Sequence, residues 1–144
     1  MVTIEQLTEA SEDTLKDILG LIAQLRRNPA EHTGSLSDIQ DIVADKRAFC
    51  MVAKDSEHIV GVATLYVLVK VGKRIGYVED VIVAEQYRGQ GLGKKLMESL
   101  IAAARKEKLN SLFLTSNPTR TTANNLYKKL GFEVVETNPY MLKL

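Results

Sequence analysis

The chain has 144 residues, 45% apolar and 26% charged, the composition of a folded globular domain and not of a disordered or fibrous chain. Its formal net charge is +1, aromatics make up 6% and tryptophan is absent, so neither nucleic acid nor an anionic membrane is an expected partner. No run approaches the ~20 apolar residues that cross a bilayer, MVTIEQLTEASEDTL lacks the basic and apolar regions of a secretion signal, and the single cysteine, Cys50, excludes an internal disulfide framework, so a soluble cytoplasmic protein is expected.

In chain order, VTIEQL reads as a first strand. A helix follows from Ser11, with Ser11 or Asp13 as its cap. Leu15, Ile18, Leu19, Ile22 and Leu25 recur at helical spacing, and Asn28-Pro29 stops it. AEHTGSLSD reads as a loop and SLSDIQDIVAD as a short second helix capped by Ser37. RAFCMVAK and HIVGVATLYVLVK are strands joined through DSE, and Gly72-Lys73 turns into IGYVEDVIVA. Three consecutive strands of this kind pair as antiparallel neighbours. GKKLMESLIAAARKEK is the strongest helix, with Leu92, Leu96, Leu100 and Ala103 on one face and Met97, Ile101 and Ala104 widening it. LNSLFLTS is a strand, and NPTRTTANNLYKKLGF is a turn and a helix ending at Gly131, the residue just past the last turn. FEVVET and YMLKL read as two further strands. No linker, repeat or low-complexity stretch interrupts the chain, so residues 1–144 are expected to form a single domain. The class is α/β: one mixed, mostly antiparallel sheet of about seven strands flanked by about four helices.

Gly89, Gly91 and Gly93 fall within five residues between an apolar strand and a helix. Glycine costs a helix or strand roughly 0.5–1 kcal/mol relative to alanine, so the cluster requires a reason. A helix N-terminus has unpaired N–H groups and about half a positive charge, and glycines there let the backbone close on an anion, a phosphate above all. Arg88 at the entrance and Lys94 inside the helix add positive charge. A P-loop is excluded, because Arg88 stands where its first glycine belongs and Lys95 where its hydroxyl belongs. A dinucleotide fingerprint needs G-x-G-x-x-G after a first strand, whereas G-x-G-x-G follows the fourth strand here.

Arg88-Gly89-Gln90-Gly91-Leu92-Gly93 resembles the R/Q-x-x-G-x-G/A signature of the GNAT superfamily of N-acetyltransferases, together with VEDVIV before it and the amphipathic helix after it. NPTRTTANNLYKKLGF is similar to that family's second recurring segment, and the element order agrees from the first strand to the last. The resemblance implies the GNAT fold, with the sheet splayed at its centre. It also implies acetyl-CoA as co-substrate, an amine acceptor and no metal. The pyrophosphate would lie on the N–H groups of Arg88, Gly89, Gln90, Gly91, Leu92 and Gly93, with Lys94 nearby. The pantetheine arm would pair with Val81, Ile82 and Val83, with Ser116 and Asn117 in reach and Ala123 and Asn124 facing it from the last helix.

Attack of a neutral amine on a thioester requires removal of a proton, a donor to the carbonyl oxygen and protonation of the departing thiolate. The backbone N–H of Val81 is the expected oxyanion donor. Tyr127, at the family's tyrosine position, is expected to protonate the thiolate. Strand alternation puts Tyr77, Glu79, Val81 and Val83 on one face and Val78, Asp80 and Ile82 on the other, unless a bulge intervenes. Glu79, acting through water, is the expected base, with Asp80 in reserve. Cys50 is expected to be a buried strand residue, and Arg26 and Arg27 to be exposed surface charge.

Transfer to a primary amine of a small molecule is the leading expectation. YVEDVIV is similar to the corresponding strand of members acting on amino sugars or small phosphorylated amines. Acetylation of a protein lysine or α-amino group is the alternative, and a non-catalytic acyl-CoA-binding module the third. The apolar faces of the last two segments make a homodimer an expectation as well.

Overall fold

A nearly continuous run of apolar, largely β-branched side chains, buried on both faces, makes His58–Lys70 the longest strand, and it takes the middle of the sheet. The computed structural model describes residues 1–25 and 34–144, so Arg26, Arg27, Asn28-Pro29 and His32 lie outside the described residues. The chain divides into two units, Met1–Leu114 and Thr115–Leu144.

The first unit contains a five-stranded sheet in the order β1 (Val2–Gln6), β2 (Ala48–Asp55), β3 (His58–Lys70), β4 (Lys73–Val83) and β5 (Ser111–Phe113). β1 to β4 are antiparallel neighbours, and β5 joins β4 in parallel. The helices are α1 (Glu12–Ala23), α2 (Leu36–Ala44) and α3 (Leu92–Lys106). On β3, a Cβ on Gly61 would stand 3.1 Å from Leu96 of α3, so Gly61, Ala63 and Leu65 face α3. Val62, Thr64 and Tyr66 point the other way and share a cavity with side chains of α1 and α2. α3 thus covers one face of the sheet, and α1 and α2 the other.

The α3 face is the tightly packed one. Leu65, Leu96, Met97 and Leu100 have no accessible surface, and each contributes about 1.5–3 kcal/mol by leaving water. Ile101, expected to widen the stripe, is only half-buried. Ser11 caps α1, its Oγ accepting from the Thr14 N–H at 3.1 Å. α2 is capped by Ser35 and not by Ser37. The Ser35 N–H donates to Asp38 Oδ2 at 2.7 Å, a reciprocal cap with the acid three residues on; Ser37 has Gln40 at the same spacing but lies inside the helix.

Pairing of β4 with β5 covers Ile75↔Ser111, Gly76↔Leu112 and Tyr77↔Phe113 and goes no further, so β4 from Val78 onward has no strand on that side within this unit. The paired end is held tightly. The Tyr77 and Phe113 rings stack with centroids 5.6 Å apart, and a Cβ on Gly76 would lie 2.5 Å from Leu65 Cδ1 and 2.7 Å from Leu112 Cδ2. Only glycine fits there.

In the second unit, α4 (Thr121–Lys129) ends at Gly131 as expected: the Phe132 N–H donates to the Tyr127 carbonyl at 3.0 Å and the Gly131 N–H to the Lys128 carbonyl at 3.1 Å. FEVVET and YMLKL form no strand, which corrects the reading of those two segments. Their alternation suits a strand, but a strand exists only with a ladder partner, and here Val134, Tyr140, Met141 and Leu142 are more than four-fifths exposed. Among the described residues the α/β class, the mixed and mostly antiparallel sheet and the four helices stand, and the sheet has five strands. No helix among the described residues is long and apolar enough to cross a membrane.

Candidate active site

The glycine loop begins where β4 ends. After Val83 the chain makes one short 3-10 turn, Glu85–Tyr87, and reaches Arg88 in extended backbone. Gly89 and Gly91 then adopt φ of +76° and +77°, a region that costs an L-residue about 1–2 kcal/mol. Nothing lies within 4 Å of where a Cβ would stand on either, so open space borders the loop. Gly91 is the N-cap of α3 and has no side chain to satisfy the first turn. The N–H groups of Gly89 to Lys94 accordingly have no acceptor among the described residues. They form a run of donors at the positive end of a long helix. Leu92 is buried and anchors the turn.

Around the loop, Arg88 Nε donates to the Val83 carbonyl at 3.2 Å and its Nη2 to Gln24 Oε1 at 3.4 Å. Gln90 Nε2 meets the Gln86 carbonyl at 3.5 Å. Lys94 is exposed and pairs loosely with Glu98 at 3.7 Å, a surface contact of little energy that leaves its charge available. Tyr87 was passed over in the sequence. Its hydroxyl donates to Asp55 Oδ2 at 2.6 Å and ties the 3-10 turn to the end of β2.

β4 carries a bulge. Thr64 pairs with Glu79 and Val62 with Ile82, so Asp80 and Val81 together oppose Ala63. Asp80 has φ +54°, a conformation aspartate tolerates better than most residues. The bulge shifts the alternation: Glu79 shares the α1 face with Thr64, Ile82 shares it with Val62, and Val83 crosses to the side of Gly61. Val81 and Val83 are half-buried and Ile82 is buried. Burial, and then the neighbouring Asp80 charge, push the Glu79 carboxyl pKa up.

Asp80 lines a cavity of about 190 Å³ between the sheet and the two N-terminal helices. α1 supplies Leu15, Ile18, Leu19 and Ile22, and α2 supplies Ile39, Ile42 and Asp38. Cys50, Val62, Thr64 and Tyr66 come from the sheet. Cys50 is buried, as its strand position implied, and burial pushes its thiol pKa up. Burial, then the Asp80 charge, raise the Tyr66 hydroxyl likewise. Thr64 and Tyr66 carry no motif that singles them out; only the strand pairing brings them beside Asp80.

In the second unit, Asn117 Oδ1 accepts from the Thr119 N–H at 3.0 Å, and its carbonyl accepts from Asn124 Nδ2 at 3.0 Å. Ala123 and Asn124 are half-buried on α4. The Tyr127 ring is 6% exposed and meets Phe132 edge-on at 6.1 Å. Burial raises its hydroxyl pKa, against a smaller lowering by Arg120. The Ser116 hydroxyl is buried without a hydrogen-bond partner among the described residues.

Comparison with known proteins agrees with this geometry. The acetyltransferase (GNAT) family model matches residues 13–132. A glucosamine 6-phosphate N-acetyltransferase of Trypanosoma brucei brucei is 32% identical over 139 residues, covering 91% of this chain and 90% of that protein. An IAA acetyltransferase of Azospirillum brasilense is 31% identical over 132 residues, covering 88% and 84%. The crystal structure of a Trypanosoma brucei acetyltransferase superposes with a TM-score of 0.81 at 28% identity over all of both chains. A donor-rich helix start behind a glycine loop, next to a strand edge left free by its neighbour, thus stands in a chain that the family model matches over most of its length. This protein belongs to the GNAT acetyltransferase family and is an acyltransferase.

Proposed function

We propose that the protein transfers the acetyl group of acetyl-CoA to a primary amine of a small molecule, by direct transfer with both substrates bound. The observation that carries this is the run of unpaired N–H groups from Gly89 to Lys94 at the start of α3, beside the unpaired stretch of β4. Donors in that arrangement suit a pyrophosphate, with Arg88 and Lys94 adding charge. The free edge at Val81, Ile82 and Val83 suits the amides of a pantetheine arm. The partnerless Ser116 hydroxyl supports a role for the second unit in holding that arm, along with Asn117, Ala123 and Asn124. The family match runs through both units, and we read residues 1–144 as one acetyltransferase domain.

Acetyl-CoA, when bound, supplies an activated acetyl thioester. The chain's own groups then do three things. Glu79, through water, takes a proton from the bound ammonium, and the neutral amine then attacks; its raised pKa brings it nearer to neutrality, where a base is effective. The Val81 N–H, carried in the bulge, donates to the carbonyl oxygen as charge grows on it. Tyr127 gives its proton to the sulfur as the carbon–sulfur bond breaks, and the second proton shed by the nitrogen as the amide forms restores the Tyr127 hydroxyl; its raised pKa keeps the proton in place until the bond breaks. Asp80 is the carboxylate on the cavity side and stands in for Glu79 if the bulge turns it to the amine. No metal is required by this scheme.

Full-length similarity to the trypanosomal enzyme favours a second reading, in which the acceptor is an amino sugar phosphate. The exposed apolar side chains of residues 134–144 support a homodimer. The test is thiol release from acetyl-CoA against a panel of small amines, a lysine peptide and an N-terminal peptide, with Tyr127→Phe as control. Amine-dependent release abolished in the control is the expected result. Release only with peptides moves the acceptor to a protein, and no release despite tight acetyl-CoA binding makes the chain a binding module.

A further inference from the structure

The apolar stripes of α3 and α1 have different fates. Leu96, Met97 and Leu100 of α3 are sealed against the sheet, whereas Leu15, Ile18, Leu19 and Ile22 of α1 are only half-buried. These face the 190 Å³ cavity. A gap along aliphatic side chains forfeits dispersion contacts, so a chain that packs α3 to zero exposure yet leaves α1 open has a use for the space. A cavity of about 150 Å³ lined by Leu, Ile and Phe takes a benzene ring. This one is of the size for a single ring or a branched five- or six-carbon chain.

Its charged groups among the described residues are few and of one sign, beside the Ser35, Thr64 and Tyr66 hydroxyls and the Cys50 thiol. Among the described lining residues there are two aspartates, Asp38 and Asp80, and neither lysine nor arginine. Asp38 is occupied in capping α2. Asp80 has no hydrogen bond or ion pair among the described residues, lines the cavity, and shares its bulge with Val81. A sugar phosphate would set its phosphate against carboxylates, and most of its hydroxyls against aliphatic walls with only the Ser35, Thr64 and Tyr66 hydroxyls to meet them, both unfavourable. An ammonium on an apolar body meets Asp80 with its charge and the aliphatic walls with its bulk.

Resting on the acetyltransferase reading above, we propose that the acceptor is a primary amine with a compact apolar body, an arylalkyl or branched alkyl amine, seated on α1 and α2 with its ammonium at Asp80. Asp80 is then a specificity residue, and the walls contributed by Ile18 and Ile39 set the size limit.

The experiment uses the full chain. Acetyl-CoA binding is measured first by calorimetry. Thiol release is then compared for 2-phenylethylamine, 3-methylbutylamine, ethylamine, glucosamine 6-phosphate and a lysine peptide. The expected result is a kcat/KM for 2-phenylethylamine about a hundredfold above that for glucosamine 6-phosphate. Ile18→Trp, which fills the cavity, should raise KM for 2-phenylethylamine about tenfold or more while ethylamine and the acetyl-CoA Kd change little. Asp80→Asn, a residue that also accepts positive φ, should raise KM for every amine without moving the acetyl-CoA Kd. Equal or better turnover of glucosamine 6-phosphate, or of the peptide, overturns the inference and leaves the acetyltransferase reading intact. Acetyl-CoA binding without turnover of any apolar amine overturns it as well. Absent acetyl-CoA binding overturns the underlying reading, and the inference with it.

Discussion

Tyr87 and Asp55 are joined by a 2.6 Å hydrogen bond between the turn that feeds the glycine loop and the end of β2. The bond fixes the entry of a loop whose own glycines supply no stiffness. Tyr87→Phe removes it while leaving the ring in place. The expected outcome is a fold and thermal midpoint close to wild type and an acetyl-CoA Kd raised about three- to tenfold, read by calorimetry beside circular dichroism.

Gly76 is where β4, β5 and the segment before β5 meet most closely. A methyl there would collide with Leu65 and Leu112. Overpacking of this kind costs about 1–3 kcal/mol, occasionally more. Gly76→Ala should lower stability by that amount in urea unfolding at an unchanged m-value, and Gly76→Val by more. Gly20→Ala is the control, since nothing lies within 4 Å of its Cβ position and alanine favours a helix.

Tyr127→Phe keeps the edge-on contact with Phe132 and removes only the hydroxyl. If that hydroxyl protonates the thiolate, kcat falls about 10²–10⁴-fold with little change in KM for either substrate. In the wild type, the alkaline fall in kcat lies above pH ~10, the ordinary tyrosine value, because burial raises this one. Steady-state kinetics of both forms between neutral pH and pH ~10.5 check this.

Glu79 and Asp80 are coupled like charges. Burial is the larger cause of the Glu79 shift and Asp80 the smaller. Asp80→Asn removes the second and leaves the first, so the ionised form of Glu79 becomes easier to reach. The acid limb of kcat/KM should move to lower pH, though not fully to that of a free glutamate. A limb that stays fixed would mean that Glu79 is not the group that titrates.

Much of the fold was legible because it is encoded locally. Apolar runs marked β2 to β4, helical spacing marked α1 and α3, and the glycines marked the start of α3. Three features were not legible, one because local signals compete and two because they depend on contacts far apart in sequence. Two serines compete to cap α2, Ser35 with Asp38 and Ser37 with Gln40 three residues on. The bulge at Asp80–Val81 has no glycine to announce it and arises from how β4 registers on Thr64 and Val62. The cavity depends on where α1 and α2 settle over the sheet, which their apolar stripes leave open. The last two apolar segments were read as strands from pattern alone, and pattern cannot supply a ladder partner.

The most direct test of the central claim is a calorimetric titration with acetyl-CoA, without any amine, of the wild type and Gly91→Glu. A carboxylate at the start of α3 is compatible with the helix dipole, so the variant should remain folded despite a strain of about 1–2 kcal/mol at positive φ, while its charge occupies the place of the pyrophosphate. Saturable 1:1 binding by the wild type, weakened at least about tenfold in the folded variant and in 3′-dephospho or truncated analogues of the ligand, is the predicted result. No binding by the wild type at millimolar ligand, or equal binding by both forms, would contradict it and reduce the glycine loop to a turn.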